Sequence, residues 1–410
     1  MDSTLGILFN GYEYFLKKFN KSGKKLIKTR LLLRKTIVMR GPEASKLFYD
    51  QSKFKRKGAV PERFKKTLFG KGGVQGLDNA AHIERKALFM NLMSQESIGK
   101  LQGYFRDTLD VYLSDWEKRS RIILFGEMEK VLTQASCMWA GIPLQEDEIT
   151  LRAKQLSRMI DGSGAIGIRH YRGRWARKKT EIWIEELVKA ERRQCGNAQT
   201  QVHDSILRKF SLYRNSQDML LDQSVVAVEL LNLIRPIVAI ARYIIFLTQA
   251  LHENPKYPDL LEKSGPNLKL AFVQEVRRFY PFFPYAAAVV KKSFFWDKTY
   301  FEEGRRVLLD LYATNRDPEI WQAPSDFKPE RFRDWNGSPH DFIPQGGGDH
   351  YINHRCAGEW ITINIMTDTL DFLLNKMEYN LPPQNLTIDM ARIPALPKSR
   401  IIFENVEIKS

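Results

Sequence analysis

One stretch of this 410-residue chain decides its fold: Gln345-Gly346-Gly347-Gly348-Asp349-His350-Tyr351-Ile352-Asn353-His354-Arg355-Cys356-Ala357-Gly358-Glu359. Its glycines allow the backbone to approach a ligand closely, and a helical pattern begins directly after the cysteine and runs to about Lys376. A thiolate at Cys356 is stabilised by the free N–H groups of a helix terminus, and the charge of Arg355 adds to this effect. These features suit a metal ligand or a nucleophile, although a buried, inert cysteine fits the same residues equally well.

Two further segments precede this loop. Glu275 and Arg278 are three residues apart in a helical segment and can pair on one face, and Pro329-Glu330-Arg331-Phe332 follows them. Each pattern is common by itself, but their order ahead of a glycine-rich loop and His-Arg-Cys-Ala-Gly is rare. At this point the chain resembles the haem-thiolate oxygenases of the cytochrome P450 superfamily, over essentially its whole length.

The resemblance implies a cofactor and residues that bind it. Cys356 is then the proximal ligand of the iron in haem b (iron protoporphyrin IX), while Glu275 and Arg278 anchor the following coil to the core. His82 and Lys86, which are four residues apart and share a helical face, match family positions that contact the haem propionates. Arg56 is a further expected propionate partner.

The remainder of the chain predicts a mainly α protein with small β-sheets, arranged as one domain over residues 1–410 in a cytochrome P450-type fold. No tandem repeat or low-complexity linker divides it. The predicted elements are a strand from about Thr29 to Met39, a helix from Glu43, mostly helices from His82 to Ala250, a long helix from about Asp222 to His252, strands from Ala286 to Leu311, coil from Pro318 to Pro344, a helix from about Ala357 to Lys376, and short strands near Leu386 to Asp389 and Ile401 to Phe403.

Charge is distributed unevenly along the chain. The formal net charge is +16, and the stretch from Lys17 to Lys66 holds 18 Lys and Arg against three acids. Such a segment could bind nucleic acid or an anionic membrane, but no accompanying motif supports nucleic acid, and a solvated face is the simpler interpretation. The three scattered cysteines, the absence of a signal-peptide pattern and the lack of a bilayer-spanning uncharged run predict a soluble, cytoplasmic protein rather than an integral membrane protein.

The cysteine loop departs from the usual family pattern. Asp349 stands seven residues before Cys356, where the family usually has Phe, and the loop is longer. This form resembles the bacterial fatty-acid peroxygenase branch, which contains hydroxylases and alkene-forming decarboxylases.

The middle of the long predicted helix lacks a proton donor. Between Asn232 and Tyr243 there is no Asp, Glu, Ser or Thr, whereas oxygen-activating members of the superfamily carry an acid–alcohol pair there. The helix instead contains Arg235 followed by Pro236, which should kink it. An arginine in an apolar stretch needs a partner, either a remote internal acid or, as the resemblance implies, the carboxylate of a long-chain fatty acid. That carboxylate would act as the acid–base group in a reaction with hydrogen peroxide, without an obligate redox partner.

The resemblance also suggests which reaction follows. Gln75 is at the position where decarboxylases carry histidine and hydroxylases carry glutamine, so hydroxylation at the α or β carbon is the favoured prediction. The sequence around Cys356 is more similar to the decarboxylases, which keeps alkene formation open. A conventional redox-partner-dependent monooxygenase and a basic nucleic-acid- or lipid-binding protein are the weaker alternatives. The residues that match pocket positions of the branch, each of which could equally be a core residue, are Phe69, Ile166, Phe282 and Tyr285.

Overall fold

Apolar residues at helical spacing dominate the middle of the chain, and helices form there in the structure, a computed structural model that describes residues 2–194 and 204–409. Cys195, within the predicted helical region, lies outside the described residues. Among those described, the helices are α1 (Thr4–Asn10), α2 (Glu13–Ser22), α3 (Pro42–Phe48), α4 (Glu62–Phe64), α5 (Asn79–Met90), α6 (Gln95–Trp116), α7 (Leu124–Ala140), α8 (Ile149–Ser163), α9 (Ile168–Gln194), α10 (Ile206–Ser211), α11 (Gln223–Ala239), α12 (Ala241–Glu253), α13 (Tyr257–Glu262), α14 (Pro266–Phe279), α15 (Leu311–Thr314) and α16 (Glu359–Asn375).

Small sheets flank the helices. In the described chain, a five-stranded sheet has the order β1-β2-β8-β5-β3, β10 lies between β4 and β9 in a second sheet, and β6 pairs with β7. The mainly α prediction with small sheets is therefore confirmed. The strands are β1 (Leu26–Leu31), β2 (Arg34–Met39), β3 (Phe54–Lys55), β4 (Arg121–Ile123), β5 (Tyr285–Val290), β6 (Phe294–Trp296), β7 (Thr299–Phe301), β8 (Arg306–Asp310), β9 (Met377–Asn380) and β10 (Ile402–Ile408).

Two predicted strands differ from the structure. The strand expected from Thr29 to Met39 is an antiparallel hairpin, because exposed Leu32 and Leu33 adopt left-handed φ angles of 52° and 62° and reverse the chain. The strand expected near Leu386 to Asp389 is wrong, since Ile388 forms only an isolated bridge to Pro397.

The long predicted helix is interrupted. Asp222 caps α11 by accepting a hydrogen bond from Ser224 N at 2.8 Å, and the helix includes Pro236 as predicted. At Ile240 the backbone N–H bonds to Ile237 O at 3.0 Å, three residues back, and α12 begins at Ala241. The single long helix is therefore two consecutive helices, as a proline-containing segment often is.

The pair α11 and α12 runs through the main core. By length and composition alone, Gln223–Glu253 could cross a membrane, with a mean hydropathy of 1.8 in its most apolar window. Arg235 and Arg242 nevertheless interrupt its uncharged run, as predicted. However, 83% of its most apolar window is buried by other elements. Its apolar faces are thus already covered by the core, with the Cys356 loop entering α16 nearby.

Candidate active site

The loop before α16 places hydrogen-bond donors beside the sulfur of Cys356. The cysteine N–H donates to Gln345 O at 3.1 Å, and the Gln345 side-chain Nε2 lies 3.7 Å from the sulfur and 3.0 Å from Thr362 Oγ1. Gly348 has φ of 78°, and a Cβ there would lie 2.4 Å from Asn353 Oδ1, so the tight turn requires glycine. Burial raises the pKa of the thiol, while the Gly358 N–H acts in the opposite direction.

Buried ion pairs hold this loop in place. Arg277 Nη2 contacts Glu359 Oε1 at 2.5 Å and Gln345 Oε1 at 2.9 Å, and Arg355 Nε contacts Glu359 Oε2 at 2.7 Å. Because Arg277 holds the oxygen of the Gln345 amide, the nitrogen is left to face the sulfur. Arg277 was not predicted as a site residue, and Gln345 was predicted only as part of the glycine-rich loop, because their roles come from contacts between distant residues.

The predicted Glu275–Arg278 pair forms on α14. Both side chains are fully buried, with Nε–Oε2 at 2.7 Å and Nη2–Oε1 at 2.8 Å. Arg278 also donates to the carbonyls of Asn315, Pro324 and Asp326 at 3.0–3.1 Å. The pair therefore anchors the following coil, as the resemblance implies.

His82, Lys86 and Arg56 lie together beside the loop. Lys86 Nζ donates to the carbonyls of Asn353 and Arg355, both at 2.6 Å. The His82 ring stacks on His354 at 3.6 Å between centroids, and burial lowers the pKa of His82 to about 4 and that of Lys86 to about 8.

These groups fit the haem that the resemblance implies. Arg56 Nη1 donates to Ala287 O at 2.7 Å, and no ion pair joins Arg56 or Lys86 to an acid within residues 2–194 and 204–409. His82, His354 and Arg56 line one cleft. Arg56 also lies over the Phe48 ring at 4.2 Å, so these buried cations have carbonyl and aromatic partners rather than anionic ones. Such cations suit the two propionates of a haem, and Cys356 follows the segment that they contact.

Arg235 is a buried cation without an anionic partner. The residue is only 4% exposed. Its Nη2 donates to Asn232 Oδ1 at 3.3 Å, and its Nε has no hydrogen-bond partner in the described structure. Burial, and then the charge of Arg177, lowers the pKa of Arg235 to about 9, whereas a Cys356 thiolate would raise it. A remote internal acid, the alternative partner for Arg235, is therefore absent from the described residues around it, and the guanidinium is free to bind an anion.

The structure brings several predicted residues to this arginine. Asn232 Nδ2 donates to Gln75 Oε1 at 3.1 Å and to Phe69 O at 3.0 Å. Phe69 and Phe282 pack against one small apolar cluster around Leu68, Ile160 and Ala239. Gln75 and Phe69 are therefore linked to Arg235 through Asn232, while Phe282 shares the apolar cluster of Phe69 and Pro236 follows Arg235 on α11.

The other two predicted pocket residues are not brought there. Ile166 is 62% exposed in the turn between α8 and α9. Tyr285 lies on β5, packs on Phe15 at 6.0 Å between ring centroids, and donates to Gly11 O at 3.5 Å. Its ring belongs to the cluster between the sheet and the N-terminal helices, so its pocket role stays a prediction that this placement does not favour.

A cysteine loop beside a buried cationic cluster, together with a helix that carries a buried arginine, is the arrangement expected of a haem-thiolate protein. The Cytochrome P450 family model matches residues 267–402. A mutant of cytochrome P450SP alpha (CYP152B1) is 41% identical with a TM-score of 0.96, covering 100% of this chain and 99% of that one. The chain therefore belongs to the cytochrome P450 family, and the predicted resemblance to its fatty-acid peroxygenase branch is confirmed.

Other relatives agree. Cytochrome P450EX alpha (CYP152N1) with myristic acid is 39% identical with a TM-score of 0.94, covering 100% of this chain and 98% of that one. Cytochrome P450 OleT in complex with arachidonic acid is 33% identical with a TM-score of 0.95, covering 100% and 97%. A curated relative, putative cytochrome P450 139 of Mycobacterium bovis, is 34% identical over 118 residues, which are 27% of this chain and 26% of that protein. The matches to the first curated relatives span 20–33% of those relatives' own length.

Proposed function

We propose that this protein uses hydrogen peroxide to hydroxylate long-chain fatty acids at the α or β carbon. The observation that carries this proposal is the unpaired, buried guanidinium of Arg235. Its two neighbouring arginines already have acids: Arg85 contacts Glu229 at 2.8 Å and Arg177 contacts Glu181 at 2.6 Å. Of these three arginines, Arg235 therefore remains to bind a monoanionic substrate. Two structurally similar proteins contain bound fatty acids.

The residues that would hold haem b are Cys356 at the iron and His82, Lys86 and Arg56 at the propionates. When bound, this group supplies thiolate-ligated iron, which favours cleavage of the O–O bond of a peroxide. Gln345 Nε2, 3.7 Å from the sulfur, restrains the position of the ligand atom. The helix and loop residues around the group determine which substrate atoms can react.

Arg235 fixes the substrate by its head group. Its planar fork suits a carboxylate bidentately, and Asn232 Oδ1, at 3.3 Å from Nη2, restrains the guanidinium. Because α11 lacks an acid or alcohol in this region, the bound carboxylate supplies the proton-transfer group, taking a proton from one peroxide oxygen and returning it to the oxygen that leaves as water. Anchoring the head group places the α and β carbons nearest the reacting centre, so the regiochemistry follows from orientation.

Oxidative decarboxylation to a terminal alkene is the second candidate, supported by the sequence around Cys356, which resembles the decarboxylases of the branch. Gln75 favours hydroxylation, because its Oε1 is occupied as an acceptor and an amide is not a practical proton donor. In this proposal the enzyme needs no redox partner and is located in the cytoplasm.

Product analysis under peroxide tests the proposal. Purified haem-loaded protein with hydrogen peroxide and myristate should give 2- or 3-hydroxymyristate without a reductase, and the reduced-CO difference spectrum should show a thiolate-ligated haem. Arg235→Ala should reduce kcat/KM for myristate by about 100-fold or more, since a buried charge pair loses one partner. Exposed Arg174 provides the control, because Arg174→Ala removes the same charge without touching the pocket. An absolute requirement for NAD(P)H and a redox partner, or full activity of Arg235→Ala, would contradict the proposal.

A further inference from the structure

Glu229 is a fully buried carboxylate on α11, six residues before Arg235. Its Oε1 accepts from Arg85 Nη1 at 2.8 Å and from Val74 N at 2.9 Å, and its Oε2 accepts from Asn232 Nδ2 at 3.2 Å. Burial raises the pKa of Glu229, and Arg85 acts against that shift. One carboxylate thus ties together α5, the loop before it and the helix that carries Arg235.

This carboxylate is one of three acceptors that set the orientation of the Asn232 amide. The nitrogen faces three acceptors, namely Glu229 Oε2, Gln75 Oε1 and Phe69 O. Because an amide has its donor and acceptor on opposite sides, the oxygen must then point to Arg235. With the amide reversed, a donor would face a guanidinium that has only donors, and Arg235 would lose its partner.

Arg85 stabilises the ionised form of the Glu229 carboxylate and holds it in position. It lies on α5 beside Lys86, so the helix that supplies the expected propionate contacts also supplies the cation for Glu229. The Arg85 side chain is 12% exposed and that of Glu229 is fully buried, so the ion pair is weakly screened.

We propose that the Arg85–Glu229 ion pair is a positioning unit for the carboxylate-binding site: it fixes Asn232, which in turn fixes Arg235. This inference rests on the proposed function, because it assumes that Arg235 binds the substrate carboxylate. Glu229 and Arg85 are positioning residues and do not touch the substrate. Losing them weakens recognition of the fatty-acid head group and leaves the access of small neutral ligands to the iron unchanged.

Glu229→Gln tests the unit with little change in volume. A glutamine has one acceptor oxygen, so it cannot accept from Asn232 on one side and from Arg85 and Val74 on the other. The dissociation constant of myristate, measured from the Soret shift, should rise about 10- to 100-fold, as expected for a lost hydrogen bond to a charged group. The dissociation constant of imidazole should stay unchanged. Glu129→Gln, which removes another buried acid on α7, is the matched control and should leave both constants unchanged.

A double-mutant cycle separates positioning from general destabilisation. In an Asn232→Leu background, Glu229→Gln should have little further effect on myristate binding, because the amide that connects Glu229 to Arg235 is already absent. Additive effects, or an equal loss of imidazole binding, would overturn the inference. If Arg235→Ala abolishes myristate binding but Glu229→Gln does not alter it, only this inference fails, whereas unaltered binding by Arg235→Ala refutes the proposed function itself.

Discussion

The side chain of Gln75 acts as a hydrogen-bond acceptor in the proposed carboxylate site, where its Oε1 accepts from Asn232 Nδ2 at 3.1 Å. Replacing it with histidine introduces a ring that can carry a proton beside the expected substrate head group. Gln75→His should therefore increase the terminal alkene, one carbon shorter than the acid, relative to hydroxy acid. The measurement is the product ratio from myristate and peroxide by gas chromatography and mass spectrometry.

Gln75→Leu is the matched control for that experiment. It removes the same hydrogen bond from Asn232 but adds no protonatable group, so the alkene fraction should not rise. An equal rise in both variants would show that the lost contact, rather than the proton donor, changes the reaction.

The sequence identifies some site residues and misses others for a physical reason. Cys356 and Arg235 stand out locally, one at the end of a glycine-rich loop and the other as a charge in an apolar run. Glu229 and Arg277 do not, because their roles come from contacts with residues far away in sequence, such as Val74, which is 155 positions from Glu229. Distant partners of this kind become visible only when the chain is folded.

At the level of elements, the sequence predicts the positions of the helices better than the bounds and turns of the strands. The helix after Cys356 was expected from about Ala357 and begins at Glu359. The hairpin turn at Leu32 and Leu33 was missed because two exposed leucines give no turn signal, although both have positive φ. Tyr285 was expected in the pocket, but strand alternation in β5 directs its ring towards Phe15.

The junction of β8 and α15 gives a prediction about stability. Asp310 is fully buried, its side chain caps α15 through Ala313 N at 2.8 Å, and its Oδ2 has no partner in the described chain. Burial raises its pKa from 3.8 to about 7. Between these values the folded state binds the extra proton, so wild-type stability falls as pH rises from about 4 to about 7 and the penalty is complete above that.

Asp310→Asn should remove this pH dependence while keeping an oxygen that can accept from Ala313. Its free energy of unfolding relative to wild type should rise with pH, by up to about 4 kcal/mol between pH values of about 4 and 8. Thermal or denaturant unfolding across that range measures it. The exposed Asp334, changed to Asn, is the control and should show a nearly flat difference. A difference between Asp310→Asn and wild type that stays flat would contradict the assigned shift.

At the level of the whole molecule, the basic stretch from Lys17 to Lys66 divides into paired and free charges. Lys17 pairs with Glu13 and Lys25 with Glu319, and Arg56 is buried in the expected propionate cluster. Lys24, Lys28 and Lys35 are instead exposed on or beside the hairpin of β1 and β2. Such charges contribute little to folding, but together they give the protein a positive field.

That field should increase the association rate of an anionic substrate. We expect kcat/KM for myristate to fall about two- to tenfold as salt rises from about 20 mM to about 500 mM, because long-range attraction is screened while the buried contact with Arg235 is not. Changing Lys24, Lys28 and Lys35 to Glu reverses three charges, lowers the formal net charge from +16 to +10, and should reduce this salt dependence with kcat preserved. Peroxide-driven oxidation of a neutral phenol such as guaiacol, followed over the same salt range, corrects for effects on the enzyme itself. Equal salt dependence for both substrates would show that the net charge plays no part in capturing the fatty acid.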